Sequence, residues 1–309
     1  LGGSTNMHRL ICRGIAAAAM AALLPGAEAL AHGFAGNRFF PATILTDDPF
    51  VADEGSLPTV ALDPTQSDGA REVDLGADLS KRITPDWDFT LSDQWERLKT
   101  PGLPAQTGWG GLTTGTQYQL FVNPAHEAMA LATLDVNSGN TGTRRVGAPD
   151  FTTLSPTFDF GKGFGDLPGS LPWLRPFALT GNLSFDFPTK TESFGMPNPN
   201  SFNYGFAIEY SLEYLEHYVK DVGLRAPFDR MIPLVEFSLT SPLNRGQTGM
   251  TTGTVQPGII WAGQYFQVGA EMIIPTNSLS GHGIGGIVQL HFYLDDLFPN
   301  SIGKPISQW

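Results

Sequence analysis

The chain has 309 residues, a formal net charge of −12 and only 16% charged residues, against ~25% in average globular chains. That acidic balance excludes nucleic acid as a partner, since binding phosphate needs a basic face. The 36 Gly, 24 Pro and 21 Phe exclude a disordered chain, which is poor in aromatics, and count against a helical bundle.

Residues Met7 to Ala31 have the form of a secretory signal peptide. His8, Arg9 and Arg13 make a basic start, Gly14 to Leu24 an apolar stretch, and Ala29-Leu30-Ala31 a small-residue cleavage site. Residues 1–31 are therefore expected to be a signal peptide with leader residues, and the chain to be exported. The apolar stretch is too short for a transmembrane helix, which takes ~20 residues. The single cysteine, Cys12, lies in this segment, which excludes a disulfide framework and a thiol catalyst in the mature protein. Cleavage after Ala31 would expose His32. Its amine and imidazole could chelate copper only with a second His, and none lies nearby, so no metal or cofactor is expected.

Residues 32–55 do not alternate. Phe39-Phe40-Pro41 and Asp47-Asp48-Pro49-Phe50 suggest a short N-terminal periplasmic or plug segment. From residue 56 the pattern changes. Asn203 to Tyr214 alternates Tyr204, Phe206, Ile208, Tyr210 and Leu212 with Gly205, Ala207, Glu209, Ser211 and Glu213. Phe177 to Phe187, Pro233 to Thr240, Val268 to Ile274 and Ile287 to Leu294 alternate in the same way. Eleven such runs are clear: 72–82, 86–97, 115–122, 127–136, 152–161, 174–187, 202–215, 230–240, 254–262, 264–274 and 284–294. They are longer than the ~5–6 residues usual in soluble proteins and match the ~9–11 needed to cross a membrane as tilted strands. Tyr204 and Tyr214 bracket one run, Trp87 and Trp95 another, as aromatic girdles do. Glu213 to Val222 could form a helix, but it continues an alternating run and is taken as strand.

Short turns follow the first, third and ninth runs, longer segments follow the second, fourth, sixth, eighth and tenth, and the connections after the fifth and seventh are intermediate. Bacterial barrels have an even strand count, short periplasmic turns and long outer loops. The parity requires one more strand, and Leu57 to Asp63 supplies it. The expected fold is all-β: an antiparallel up-and-down transmembrane β-barrel of about 12 strands over 56–309, including a C-terminal tail. The tail ends at Trp309, with Phe298 as an alternative terminal aromatic signal. Such a chain would sit in a bacterial outer membrane, with outer-membrane lipid and the barrel assembly machinery as partners.

Several stretches carry a resemblance: NRFFPATILTDDPFVADE (37–54), SKRITPDWDF (80–89), FGKGFGDLP (160–168), WLRPFALTG (173–181) and GIVQLHFYLDDLFPNSIGKPI (286–306). The chain resembles uncharacterised proteobacterial outer-membrane barrels similar to the transporter family of the MetA pathway of phenol degradation. The resemblance implies a barrel and small hydrophobic or aromatic solutes. It implies no catalytic residue.

The polar faces of the runs should point into the lumen. They carry Glu72, Asp74, Asp78, Asp88, Glu127, Asp135, Asp159, Asp186, Glu209, Glu213, Glu236 and Glu271, against Arg82 and Arg175. A mainly acidic lumen attracts cations. The residues singled out for permeation or binding are Glu209, Glu213, Glu236, Glu271, Asp186, Gln289, His291 and Tyr293. Leu131, Ile260, Ile273 and Tyr293 should narrow the space further. No enzyme is expected: His126, His217, His282 and His291 are scattered and no G-x-S-x-G occurs. Gly161 to Gly165 has glycines but no GK[ST], so it is taken as a turn. The expected function is an outer-membrane channel or transporter for small solutes; the alternative is a non-conducting binding or structural barrel.

Overall fold

The computed structural model describes residues 33–46, 48–66 and 68–307. The signal segment, His32 and Trp309 lie outside the described residues. Twelve long antiparallel strands close on themselves. They are β1 (Glu54–Leu62), β2 (Arg71–Thr84), β3 (Trp87–Lys99), β4 (Thr113–Asn123), β5 (Ala128–Asn137) and β6 (Thr153–Gly163), followed by β7 (Phe177–Pro188), β8 (Ser201–Tyr210), β9 (Met231–Pro242), β10 (Thr252–Ala262), β11 (Phe266–Pro275) and β12 (Gly285–Tyr293). Each pairs with its sequence neighbours, and β12 pairs with β1 to complete the ring. A four-residue strand, Gln106–Trp109, adds only to the far end of β3. Closure leaves no main strand with a free edge, which is the condition for a sheet to cross lipid.

Alternation becomes two faces. Outward positions carry large apolar side chains left exposed, among them Leu75, Phe89, Leu134, Phe158, Leu183, Ile208, Val268 and Val288. Cross-strand aromatic pairs tie this face together. Phe206 stacks on its register partner Phe237 with centroids 4.6 Å apart, and Phe177 meets Tyr210 edge-on at 4.7 Å. Inward positions are small or polar: Thr180, Ser184, Ala207, Glu209, Glu236, Gln267, Gln289 and His291 are all buried.

The two ends of the barrel differ. At one end lie the tight turns 85–86, 124–127 and 263–265, with two longer connections, 164–176 and 211–230. At the other lie the loops 63–70, 100–112, 138–152, 189–200, 243–251 and 276–284. The parity argument for an extra first strand holds, although β1 begins earlier, at Glu54.

Residues 33–53 run from the short-turn end into the barrel. A two-residue ribbon pairs Phe34–Ala35 with Arg38–Phe39. Phe40, Phe50, Ala35 and Ala52 pack with Met129 and Ala178 of the wall. Phe39 packs on Ile232, Leu234, Ile260 and Ala262, and Ile44 on Ala61, Ile273 and Ile287. The large inward apolar side chains thus meet this segment rather than water. Glycine makes the approach possible: a Cβ on Gly205 would lie 2.8 Å from Thr46 Cγ2, and one on Gly269 would lie 2.8 Å from Ile44 Cδ1.

Three expectations need correction. β8 stops at Tyr210, and Leu212–Tyr214 is a helical turn continued by Leu215–Val219. Ser211 caps it by accepting the Tyr214 N–H at 3.1 Å, so the local hydrogen bond outcompetes continued alternation. Tyr214 is therefore no girdle residue but is buried beneath Arg38. Second, Gly161–Gly163 ends β6 rather than forming a turn. Third, Glu127 is not on a strand: it follows the helical turn Pro124–His126 with φ 46°.

Candidate functional site

The lumen is built around one carboxylate. Glu236, midway along β9, is 0% exposed. Its Oε1 accepts the Ile44 N–H at 2.8 Å; its Oε2 accepts those of Leu45 at 3.1 Å and Thr46 at 2.9 Å. The Thr46 hydroxyl adds a fourth bond at 3.2 Å. Three consecutive amides around one anion form a nest, here made by the inserted segment and filled by the wall. Elsewhere the wall also holds the segment by its backbone. Gln267 donates to Ala42 O, and Tyr293 orients Gln267 through a 2.7 Å bond. Gln119 donates to Pro49 O at 3.1 Å and accepts the Val51 N–H at 3.1 Å.

Ion pairs fasten the segment where it enters and leaves. Arg38 is buried against Glu127 at 3.3 Å, donates to Pro176 O at 2.9 Å and stacks on Tyr214 at 3.9 Å. Burial, then the bond it donates to Glu127, pushes the Tyr214 phenol up to about 12. At the other end Asp53 is fully buried, with Lys81 and Arg82 as partners; Arg82 Nε lies 2.9 Å from it. Arg82 also faces Asp295 at 3.6 Å.

Beside the inserted segment lies a cavity of about 330 Å³, bounded by Asp78, Ser92, Gln117, Gln289 and His291. Towards the long-loop end lies another of about 510 Å³, whose wall includes Ser155, Asn182, Asp186, Asn203 and Thr240. Leu45, Thr113 and Asp135 border both, so the turn held by Glu236 stands where the cavities meet.

Seven of the eight singled-out residues fall into four groups. Glu236, Tyr293 and, two strands on from Glu236, Glu271 are inward and buried; Glu236 directly and Tyr293 through Gln267 hold the inserted segment. His291 and Gln289 border the inner cavity. His291 Nδ1 is 2.9 Å from Ser56 Oγ and Nε2 is 3.1 Å from Glu54 Oε2, and Gln289 donates to Thr59 at 3.3 Å. Asp186 borders the outer cavity, taking Ser155 Oγ at 2.7 Å and Asn203 Nδ2 at 2.8 Å. Glu209 is buried against Thr180 at 3.0 Å, bordering neither.

Glu213 was expected to face the lumen but sits in the helical turn after β8. Arg175 is likewise in a connection, donating to Gly165 O at 2.9 Å. Leu45, Asn182, Asn203 and Thr240 escaped notice because only ionisable side chains were collected from the polar faces. The positions of Asn182, Asn203 and Thr240 in the alternating pattern mark them as inward, whereas Leu45 lies in the stretch without a period and carries no such mark.

No protein-family model matches the sequence, and no curated protein matches it. Solved structures do. The COG4313 outer-membrane channel from Pseudomonas putida F1 superposes with a TM-score of 0.54 at 10% identity, covering 78% of this chain and 95% of that one. The NanC porin gives 0.46 at 9% identity over 76% and 98% of the two chains, and the KdgM porin 0.46 at 10% over 77% and 98%. The fold is that of an outer-membrane β-barrel. The resemblance to the MetA-pathway family gains no support from a family model.

Proposed function

We infer that the protein is an outer-membrane channel for small polar solutes, narrowed by its own residues 33–53. One observation carries this: a closed barrel, apolar and exposed outside, surrounds two cavities of mixed polar and apolar lining that meet at Leu45. An exposed apolar surface running around a barrel is costly in water and favourable in lipid. In this reading the short-turn end faces the periplasm, the long-loop end faces outside, and the segment enters from the periplasm.

No lysine or arginine borders either cavity among the described residues, whereas Asp48, Glu54, Asp78, Asp135 and Asp186 do. That supports passage of neutral and cationic solutes and exclusion of anions. Hydrophobic or aromatic solutes, implied by the resemblance, would need an apolar lumen patch. The inward apolar groups are covered by Phe39, Phe40, Ile44 and Phe50.

The extensive anchoring of 33–53 favours a second reading, a barrel that binds a solute without conducting. A tether separates the two. Thr46→Cys with Gly205→Cys, in a Cys12→Ser background, places two thiols where a Cβ already approaches Thr46. In a planar bilayer the oxidised protein should be silent or reduced in current, and a reductant should raise conductance, with cations outpacing anions in a salt gradient. No current from either form would leave the non-conducting reading standing.

A further inference from the structure

The outer cavity contains a second kind of information, in how its wall groups are already bonded to one another. Ser155 on β6 and Asn203 on β8 both donate to Asp186 on β7, at 2.7 and 2.8 Å. Thr240 on β9 donates to Asn203 Oδ1 at 2.8 Å. Deeper in, Thr157 donates to Ser184 at 2.8 Å. The chain Ser155–Asp186–Asn203–Thr240 spans four adjacent strands and fixes the direction of each polar group before any ligand arrives.

We propose that this wall is a binding site for a small neutral polyhydroxylated solute, a mono- or disaccharide. The inference rests on the lumen being a solute path and names what the path recognises. Hydroxyl and amide groups each donate and accept, and so does every hydroxyl of a sugar, so the two surfaces match in kind. The volume, about 510 Å³, lies within the ~300–1,000 Å³ of small-molecule sites. Anionic solutes meet the carboxylates of Asp135 and Asp186 in a lining that contains no lysine or arginine among the described residues. A hydrophobic solute would strip water from the wall and offer no partner to the donor and acceptor positions that the chain leaves open. Asp186 holds Ser155 on one oxygen and Asn203 on the other, so it serves as the anchor that aims Asn203.

Saturation-transfer NMR on the detergent-solubilised full chain tests this without any current. The probes are sucrose, phenol and putrescine, each alone and then phenol or putrescine added to sucrose. Sucrose should give saturable transfer, and the other two should not compete with it. Asn203→Leu, which breaks the chain at its centre, should weaken sucrose binding at least tenfold. Thr240→Val keeps the side-chain shape but removes the hydroxyl that donates to Asn203, and should weaken it several-fold. Heat-modifiable migration shows that each variant is folded. Saturable phenol or putrescine binding without sucrose binding overturns the proposal, as does sucrose binding that survives both substitutions. A barrel that binds sucrose but passes no ions would refute the channel and leave the site. One that conducts without binding sucrose would refute the site alone.

Discussion

Replacing Glu236 with Ala should release the turn at Leu45. The carboxylate receives three backbone N–H groups and one hydroxyl. Hydrogen bonds to a charged group contribute ~1.5–3 kcal/mol each, and a buried amide left without an acceptor costs ~1–3 kcal/mol. If the segment stayed in place, the variant would carry three orphaned amides, a penalty of roughly 3–6 kcal/mol after allowing for partial hydration. The segment need not stay. It can withdraw this turn into the adjoining cavities and hydrate its amides, keeping the contacts of Gln119 and Gln267 below. A shift of that size changes the open population by about 10²- to 10⁴-fold, at 1.4 kcal/mol per tenfold. Amide hydrogen exchange of a peptide spanning 44–46, read by mass spectrometry in detergent, should therefore accelerate by at least two orders of magnitude. Glu236→Gln should fall between. One oxygen still serves Ile44, while the amide NH₂ confronts the donors of Leu45 and Thr46. Exchange at 44–46 that is equal in wild type and Glu236→Ala would refute the anchoring role of this carboxylate.

Other perturbations have different readouts. Leu183 is 42% exposed on the outward face. Leu183→Arg should cost ~2–4 kcal/mol near the membrane midplane and reduce the heat-modifiable folded fraction, whereas the adjacent Asn182→Arg, facing the outer cavity, should insert normally. Ala207→Arg is not an equivalent control, because Ala207 is 0% exposed on the packed lumen face. Asp53→Ala strands Lys81 and Arg82 at the base of the barrel; because both cations can reach water, the loss should sit near the lower end of ~3–5 kcal/mol, measured by urea unfolding in detergent. In the long loops, Lys190 and then Ser193 donate to Asp150 and hold its carboxyl below the ordinary 3.8. A depressed folded-state pKa means that the contact stabilises fully above that value and is lost as pH falls through the lower one. Carboxyl-carbon NMR should find the Asp150 midpoint below 3.8, and Lys190→Ala should move it up.

The barrel was legible because lipid imposes a strict rule on sequence. Every strand must alternate, and antiparallel closure requires an even strand count, while short turns at one end mark which strands share it. That is why Leu57 to Asp63, unremarkable alone, could be assigned as a strand. Legibility failed where a local hydrogen bond competes with the period. Ser211 sits in phase with Asn203 to Glu209, yet its hydroxyl caps a helical turn and carries Glu213 out of the lumen. Period-two reading detects phase and has no term for a cap.

The lumen itself was half legible, and the reason is physical. Which residues face inward follows from phase, and Glu236, Glu271, His291 and Gln289 do. What fills the space between them does not, because residues 33–53 have no period and bind through backbone atoms. An amide N–H on Leu45 is chemically the same as on any other residue, so nothing in its side chain marks it as a partner of Glu236. The clue was on the wall. Leu131, Ile260, Ile273 and Tyr293 point inward and would be costly against water, at ~25 cal/mol per Å² of apolar surface. A lumen with that much inward apolar surface needs an apolar occupant. Phe39, Phe40, Ile44 and Phe50 lie in a stretch that does not form a strand, and they supply it. The acidic residues then change meaning. A carboxylate that faces open water sets a field for ions, whereas one that fills a nest of amides holds a segment in place. Glu236 does the second, and in the proposed channel control of passage falls to the turn it holds.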